Sequence, residues 1–109
     1  CNMKQLNTKV IYFTTKTNTE VQKIARILVE ERLVACVNII GPSTSIYRWD
    51  DEVIKTNEFI AIAKTSSKNT KKSVKRLIEL HSYECPAVLV VDIETGNEEF
   101  ISWINKVVK

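Results

Sequence analysis

The chain predicts an α+β fold of the ferredoxin-like, split βαβ kind, with an over-long hairpin between its second and third strands and an extra C-terminal helix. Three observations carry that expectation. Short apolar runs and amphipathic stretches follow one another as strand, helix, strand, strand, helix, strand, helix, and the first six elements are the split βαβ order. Only two Gly and two Pro occur in 109 residues, which leaves little room for a linker. A chain of this length also builds a core without disulfide or metal staples. A single domain over 1–109 is therefore expected, with residues 1–8 as a loose N-terminal segment.

The elements can be justified in order. "KVIYFTT" (Lys9 to Thr15) is a β-branched, apolar run that reads as a strand buried on both faces. Thr17 and Glu20 stand three apart before an amphipathic stretch, a capping-box signature. Val21, Ile24, Ala25 and Leu28 then recur at helical spacing while Lys23, Arg26 and Glu30 face outward, so a helix is expected to about Leu33. "VACVNII" and "TSIYRW" form the next strand. Gly41-Pro42 interrupts or bulges it, because Pro cannot donate to the ladder. Asp50 to Glu52 is a turn, and "VIKTNEFIAIAKT" returns. The hairpin arms are thus about 13 to 16 residues long, against roughly 5 to 6 for an ordinary strand.

"SSKNT" starts a second helix, in which Val74, Leu77, Ile78 and His81 share one face. Pro86 forces Cys85 into an extended conformation, and "AVLVVDIE" is the fourth strand. After Thr95-Gly96, the apolar positions Phe100, Ile101, Ile104, Val107 and Val108 mark a third helix.

In a split βαβ domain both long helices lie on one sheet face, leaving the other bare. Yet "VIYF", "FIAIA" and "VLVV" are apolar on both faces, as in sheets covered on both sides. A third helix covers only part of the bare face. The hairpin, tipped with Tyr47 and Trp49, reaches beyond anything its own domain can pair with. An intimate homo-oligomer, sheet packed on sheet with strand edges lent between subunits, is the economical inference.

Composition excludes several function classes. The net charge of +3, from 16 basic and 13 acidic residues, is too mild to imply nucleic acid. The basic run "KNTKKSVKR" (Lys68 to Arg76) reads as the solvated face of a helix. No apolar run approaches the roughly 20 residues needed to span a bilayer, and the N-terminus lacks the apolar stretch of a secretory signal. The chain begins with Cys1 rather than Met, which leaves room for a removed upstream segment. Three cysteines without a C-x-x-C pair argue against a disulfide scaffold and a zinc knuckle, so reduced cytoplasm is expected. No P-loop, dinucleotide fingerprint, nucleophile elbow or H-E-x-x-H is present, and no enzyme activity is expected. The third strand has no Gly and only one aromatic, against the pattern of an RNA-recognition domain, and the loop after the first strand lacks the cysteine pair of a soft-metal chaperone.

Five side chains have two readings each. His81 either ends a helix on its apolar side or offers an imidazole suited to copper, nickel or zinc. Cys85, just before Pro86, is a small buried residue or a soft ligand. Cys36 lies between Ala35 and Val37 and has the same two readings, with burial favoured. Structural zinc takes four ligands, so these residues do not close a site in one chain. A copper site assembled across subunits would need fewer from each. Tyr47 and Trp49 are interface anchors or a ligand platform.

"ERLVACVNIIGPSTSIYRWDDEV", Lys64-Thr65, "LHSYECPAV" and "NEEFISWI" together resemble the CutA family of divalent-cation tolerance proteins, in order and over nearly the whole chain. The resemblance implies a tight homotrimer, similar in architecture to PII-type signalling trimers, with a link to copper tolerance and no catalysed reaction. It aligns Cys36 and Asn38 with the family's Ala-Cys-x-Asn element, Tyr47 and Trp49 with its aromatic arm, and Lys64 with the lysine closing the third strand. His81, Tyr83, Glu84 and Pro86 match its His-Pro-Tyr-acidic-x-Pro element. The implied ligand is Cu(II) or another divalent transition metal, with His81, Cys36 and Cys85 as candidate metal ligands. Asn38, Tyr47, Trp49, Lys64, Tyr83 and Glu84 are then cleft-lining candidates. Ser82 for Pro, Cys85 for an apolar residue, Asp50-Asp51 for an acid and Gly, and Arg48 for an aromatic depart from the pattern. The expected partners are other copies of the chain and a metal ion, with neither nucleic acid nor membrane. Two alternatives stand beside this: a PII-like regulatory trimer binding a small anion or metabolite in its clefts, and a structural or adaptor trimer.

Overall fold

The computed structural model describes residues 7–109. In chain order it places β1 at Thr8–Thr15, α1 at Asn18–Glu30, β2 at Cys36–Trp49, β3 at Glu52–Ser66, a single 3-10 turn at Ser67–Asn69, α2 at Thr70–Leu80, β4 at Val88–Asp92 and α3 at Glu98–Val107. The element order is the one the sequence predicts. Of the expected loose segment 1–8, residues 1–6 lie outside the described residues, and Thr8 already pairs with Ser66 in the sheet. The four strands form one sheet in the order β2-β3-β1-β4, and every neighbouring pair is antiparallel.

α1 begins as the sequence predicts, with Thr17 Oγ1 accepting the Glu20 amide at 3.1 Å. The carboxylate of Glu20 is used elsewhere, as described below. The helix stops three residues short of Leu33. The Leu33 amide donates to Leu28 C=O at 3.0 Å and the Arg32 amide to Val29 C=O at 3.0 Å, a Schellman closure. Its left-handed position is Arg32, at φ 59°, where glycine is usual. A side chain there costs about 1–2 kcal/mol. With no glycine to announce the stop, the amphipathic spacing ran past it.

Side chains that alternate along β1 sort the sheet into two faces. Ile11 and Phe13 on β1 and Ala61 and Ala63 on β3 meet Val21, Ile24 and Leu28 of α1, Leu77 of α2 and Val34 in one buried cluster. Small Ala61 and Ala63 let the helices sit close to β3. Arg76 of α2 reaches Glu31, at the end of α1, through two hydrogen bonds of 2.9 Å. Those bonds hold the Glu31 carboxyl below its ordinary value.

On the opposite face Val10 and Tyr12 lie beside Leu89 and Val91 of β4 and Ile60 and Ile62 of β3. Leu89 is 61% exposed and Val91 50%. The third helix covers one end of the sheet only. Ile104 and Val108 bury themselves against Ala35, and Asn105 Nδ2 donates to Thr8 Oγ1 at 3.2 Å. Asn97 caps this helix by accepting the Glu99 and Phe100 amides.

The hairpin runs far past the body. It gives the chain extents of 50 × 28 × 21 Å and a radius of gyration of 15.0 Å, against about 13 Å for a compact domain of this length. The expected interruption at Gly41-Pro42 is a bulge. Ile40 pairs with Ile60 and Ser43 with Glu58, so two residues of β2 span one of β3. A side chain at Gly41 would bring its Cβ to 2.6 Å from the Phe59 ring and 3.2 Å from Phe59 Cα. The turn is two residues long, and Asp50 and Asp51 both take positive φ, 50° and 63°, as a type I′ hairpin demands.

Candidate functional site

Paired residues in an antiparallel ladder point to the same face, so the register places each candidate. Before the bulge, Cys36, Asn38 and Ile40 of β2 pair with Lys64, Ile62 and Ile60, all on the face left open by the helices. After the bulge, Ser43, Ser45, Tyr47 and Trp49 pair with Glu58, Thr56, Ile54 and Glu52. β3 alternates without a break, so these also lie on the open face. The extra residue changes the parity of β2, and Tyr47 and Trp49 thereby join Cys36, Asn38 and Lys64. The structure thus brings five of the expected residues onto one continuous surface.

At its body end, Lys64 Nζ donates to Asn38 Oδ1, with Cys36 directly across from Lys64. The thiol is free and half-buried. At its arm end, Trp49 is 63% exposed and Tyr47 is exposed as well. Between the two ends sits Glu58, which sequence reasoning missed. Its carboxylate accepts hydroxyl protons from Ser45 at 2.8 Å, Tyr83 at 3.2 Å and Thr14 at 3.4 Å. Burial, the Glu58 charge and the hydrogen bond to it push the Tyr83 hydroxyl up to about 12, so Tyr83 keeps its proton and remains a donor. One signal in the sequence could have found this hub: Glu58 is an acid directly before the five-residue apolar run Phe59 to Ala63, at a position whose alternation places it with Ile60 and Ile62.

His81 lies behind this surface, with a fully buried side chain. Its Nε2 is 2.7 Å from Thr14 C=O and its Nδ1 accepts the Tyr83 amide at 3.0 Å. These partners fix the neutral tautomer with the proton on Nε2. The ring is tilted against Tyr83 at 4.8 Å between centroids. Glu20 Oε2 stands 3.7 Å from Nδ1 and accepts the Ser82 amide at 2.8 Å. Burial alone would raise the Glu20 carboxyl, but the hydrogen bonds from Ser82 outweigh it and hold it below its ordinary value. The capping-box acid is therefore turned away from its own helix to fasten the exit of α2. The two peptide groups after His81 are both held, that of Ser82 by Glu20 and that of Tyr83 by the ring.

One subunit does not gather the expected metal ligands. Cys36 is level with Val10 through Lys64, whereas His81 bonds to Thr14. Four strand residues separate those levels by roughly 13 Å. Cys85 is exposed on the loop between α2 and β4, as is Glu84. Among the described residues no group of three or more His, Cys, Asp or Glu side chains is placed to hold a metal. The lone pair of His81 Nδ1 is engaged by the Tyr83 amide, so the imidazole can ligate through it only if that amide lets go.

Sheet, helices and register together define a class: a small α+β subunit whose polar and sulfur side chains line an open sheet face and a protruding arm rather than an enclosed pocket. Within that class the chain belongs to the CutA1 divalent ion tolerance protein family, whose model matches residues 9–107. It is 38% identical to the divalent-cation tolerance protein CutA of Thermus thermophilus over 98 residues, covering 90% of this chain and 95% of that one. It is 36% identical to mouse protein CutA over 96 residues, 87% of this chain and 54% of the mouse protein. The solved structure of the Thermus thermophilus protein superposes with a TM-score of 0.90 at 36% identity, covering 94% of this chain and 99% of that one. A structure described as the periplasmic divalent cation tolerance protein CutA of Archaeoglobus fulgidus gives 0.89 at 34%, with the same coverage.

Proposed function

We propose that the chain works as a cytoplasmic homotrimer of ferredoxin-like subunits that binds a divalent transition metal, copper first, without catalysing a reaction. One observation carries this reading. The face that holds Cys36, Asn38, Lys64, Tyr47 and Trp49 is also the face whose apolar side chains Leu89, Val91 and Ile40 stand uncovered. Covering it with other copies of the chain buries those side chains and brings donors from different subunits together. Membership in the divalent ion tolerance family supplies the class of ligand. A thiolate such as Cys36 is a soft donor suited to copper. Because one subunit does not assemble a closed set, Cys36 from one chain would combine with Cys85, or with His81 freed from Tyr83, of another. Asn38, Lys64, Tyr83 and Glu84 would line the cleft around it.

Two measurements test the proposal. Light scattering should give three times the 12.5 kDa chain mass, and the mass of a single chain sinks every site between subunits. Calorimetric titration of Cu(II) into the reduced protein, handled without oxygen, should show stoichiometric binding that Cys36→Ser abolishes while the trimer persists. Binding unchanged in Cys36→Ser, Cys85→Ser and His81→Ala would overturn the metal reading. Loss of a small anion's binding in Lys64→Ala would then favour the PII-like alternative.

A further inference from the structure

The sheet ends in two edge strands, β2 and β4. β4 reads VLVVD and has none of the usual guards of an edge, neither Pro nor Lys nor a bulge. An unguarded apolar edge is a template for another strand. Beside it, on the helix side of the sheet, runs a groove of about 550 Å³ lined by Val74 and Ile78 of α2 and by Val90 of β4. Val90 pairs with Ile11 of the core, so it points to that side, and Ile78 and Val90 are both exposed. The groove carries Lys71 towards the start of α2 and Glu79 towards its exit.

The arm has a matching surface on the same side. Ile46 pairs with Lys55 and Arg48 with Val53, and the alternation of β3 puts all four on the side of Ala61 and Ala63. Ile46 is 67% exposed and Val53 66%, so the chain's own helices do not cover them. Neighbouring strands alternate in direction across the sheet, and β2 and β4 therefore run in opposite senses. Setting the β2 edge of one copy against the β4 edge of the next, with helix sides alike, makes an antiparallel pair. The tip of the arm then points to the Val88 end of β4. That end is also the exit of α2, since Val88 pairs with Phe13 and His81 bonds to Thr14. Ile46 thus falls over the groove, and Arg48, nearer the tip, comes to the Glu79 end rather than to Lys71. Each copy has one edge of each kind, so the contact is head-to-tail and closes into a ring.

We propose that the helix side of the arm docks on a second copy of the chain: Ser43–Trp49 pairs antiparallel with the neighbour's β4, and Ile46 fills the groove between its α2 and β4. This rests on the assembly of like subunits put forward above and names the contact that holds it. It uses neither the metal ligands nor the side of the arm that bears Tyr47 and Trp49. One pairing guards the open edge, covers Ile46 and gives the exposed Arg48 a carboxylate, which makes a second copy the occupant that fits both surfaces.

The test has two parts, both on the full chain. Amide hydrogen exchange of the parent protein reads the edge directly. Alternate amides of an edge strand point outward, so a free β4 protects only every second amide of Val88–Asp92, whereas docking protects them all. Light scattering on dilution reads the groove. Ile46→Glu and Ile78→Glu alter positions exposed within one subunit, and each should raise the dissociation constant at least about thirtyfold, the scale of an interface hot spot. Val29→Glu, at an exposed apolar position of α1, should leave it unchanged. If a variant fails to fold, the exchange pattern of the parent decides. A parent with the mass of one chain overturns the assembly and this contact with it. A trimeric parent with alternating protection in β4, or a trimer that neither isoleucine variant weakens, leaves the assembly standing and overturns the docking.

Discussion

Replacing His81 by alanine separates a structural imidazole from one that exists only to bind metal. The ring satisfies two groups at once, the Thr14 carbonyl at 2.7 Å and the Tyr83 amide at 3.0 Å, in a site closed to water. Alanine leaves both without partners, at about 1–3 kcal/mol apiece, and removes the surface on which Tyr83 rests. The expected loss is therefore about 2–6 kcal/mol, a large share of the roughly 5–15 kcal/mol that holds a domain together. Urea unfolding of metal-free protein in the presence of a chelator measures it, followed by tryptophan fluorescence at fixed protein concentration, since assembly adds to apparent stability. His81→Gln, which keeps one amide donor, should recover part of the loss. A chelated His81→Ala protein within about 0.5 kcal/mol of the parent, the range of a bland surface change, would refute the claim that both ring nitrogens are structurally committed.

Further outcomes follow from the same geometry. Tyr83 holds its proton to about 12 in the folded chain against 10.0 ordinarily, so between those values the unfolded state sheds the proton first. Its contribution to stability then declines as pH rises above 10.0, and ultraviolet titration should show one tyrosine ionising late, an effect that Glu58→Gln reduces. Glu20 has the opposite sign: its folded carboxyl lies below the ordinary 4.5, so its contribution is full above that value and lost as pH falls through the lowered one. Glu20→Gln should flatten this part of the acid unfolding profile, and an unchanged profile would show that the Ser82 contact carries no weight. Asp51, at φ 63°, should accept glycine with a gain of about 0.5–1 kcal/mol, visible as a raised urea midpoint; a lowered one would mean that the Asp51 side chain holds the turn.

Much of this was legible in the chain because periodicity and punctuation agree. Thr17, Gly41-Pro42, Asp50-Asp51 and Pro86 each mark a boundary by a local physical rule, and the order of elements follows. The stop of α1 was not legible, since Arg32 occupies a position that usually announces itself with glycine. The open face was legible as an excess of apolar residues in "VIYF" and "VLVV", but its membership was not. Which side Tyr47 and Trp49 take depends on how many residues the bulge absorbs, and composition is silent on that. His81 and Cys36 were both chemically suitable ligands. Only the folded chain reveals, through register, that they lie on different levels of the sheet and, through hydrogen bonds, that the ring nitrogens are already occupied. Glu58 goes unmarked in the sequence and Glu20 reads only as a capping-box acid, because their partners Tyr83 and Ser82 come from a loop far along the chain.

The bulge at Gly41-Pro42 acts as a phase setter for the arm. If the ladder ran on without it, Ile46 and Arg48 would replace Tyr47 and Trp49 on the surface shared with Cys36 and Lys64. Every aromatic group on the arm would then be turned outward, with no change in amino-acid sequence. Deleting Pro42 has a different result: Ser43 still meets Glu58, the aromatics keep their side, and the ribbon loses only its bend. The arm is thus addressed by residue count as much as by residue identity. A variant with one residue inserted between Ser43 and Tyr47 must either absorb it in a second bulge or shift its turn and present Ile46 and Arg48 in place of the aromatics.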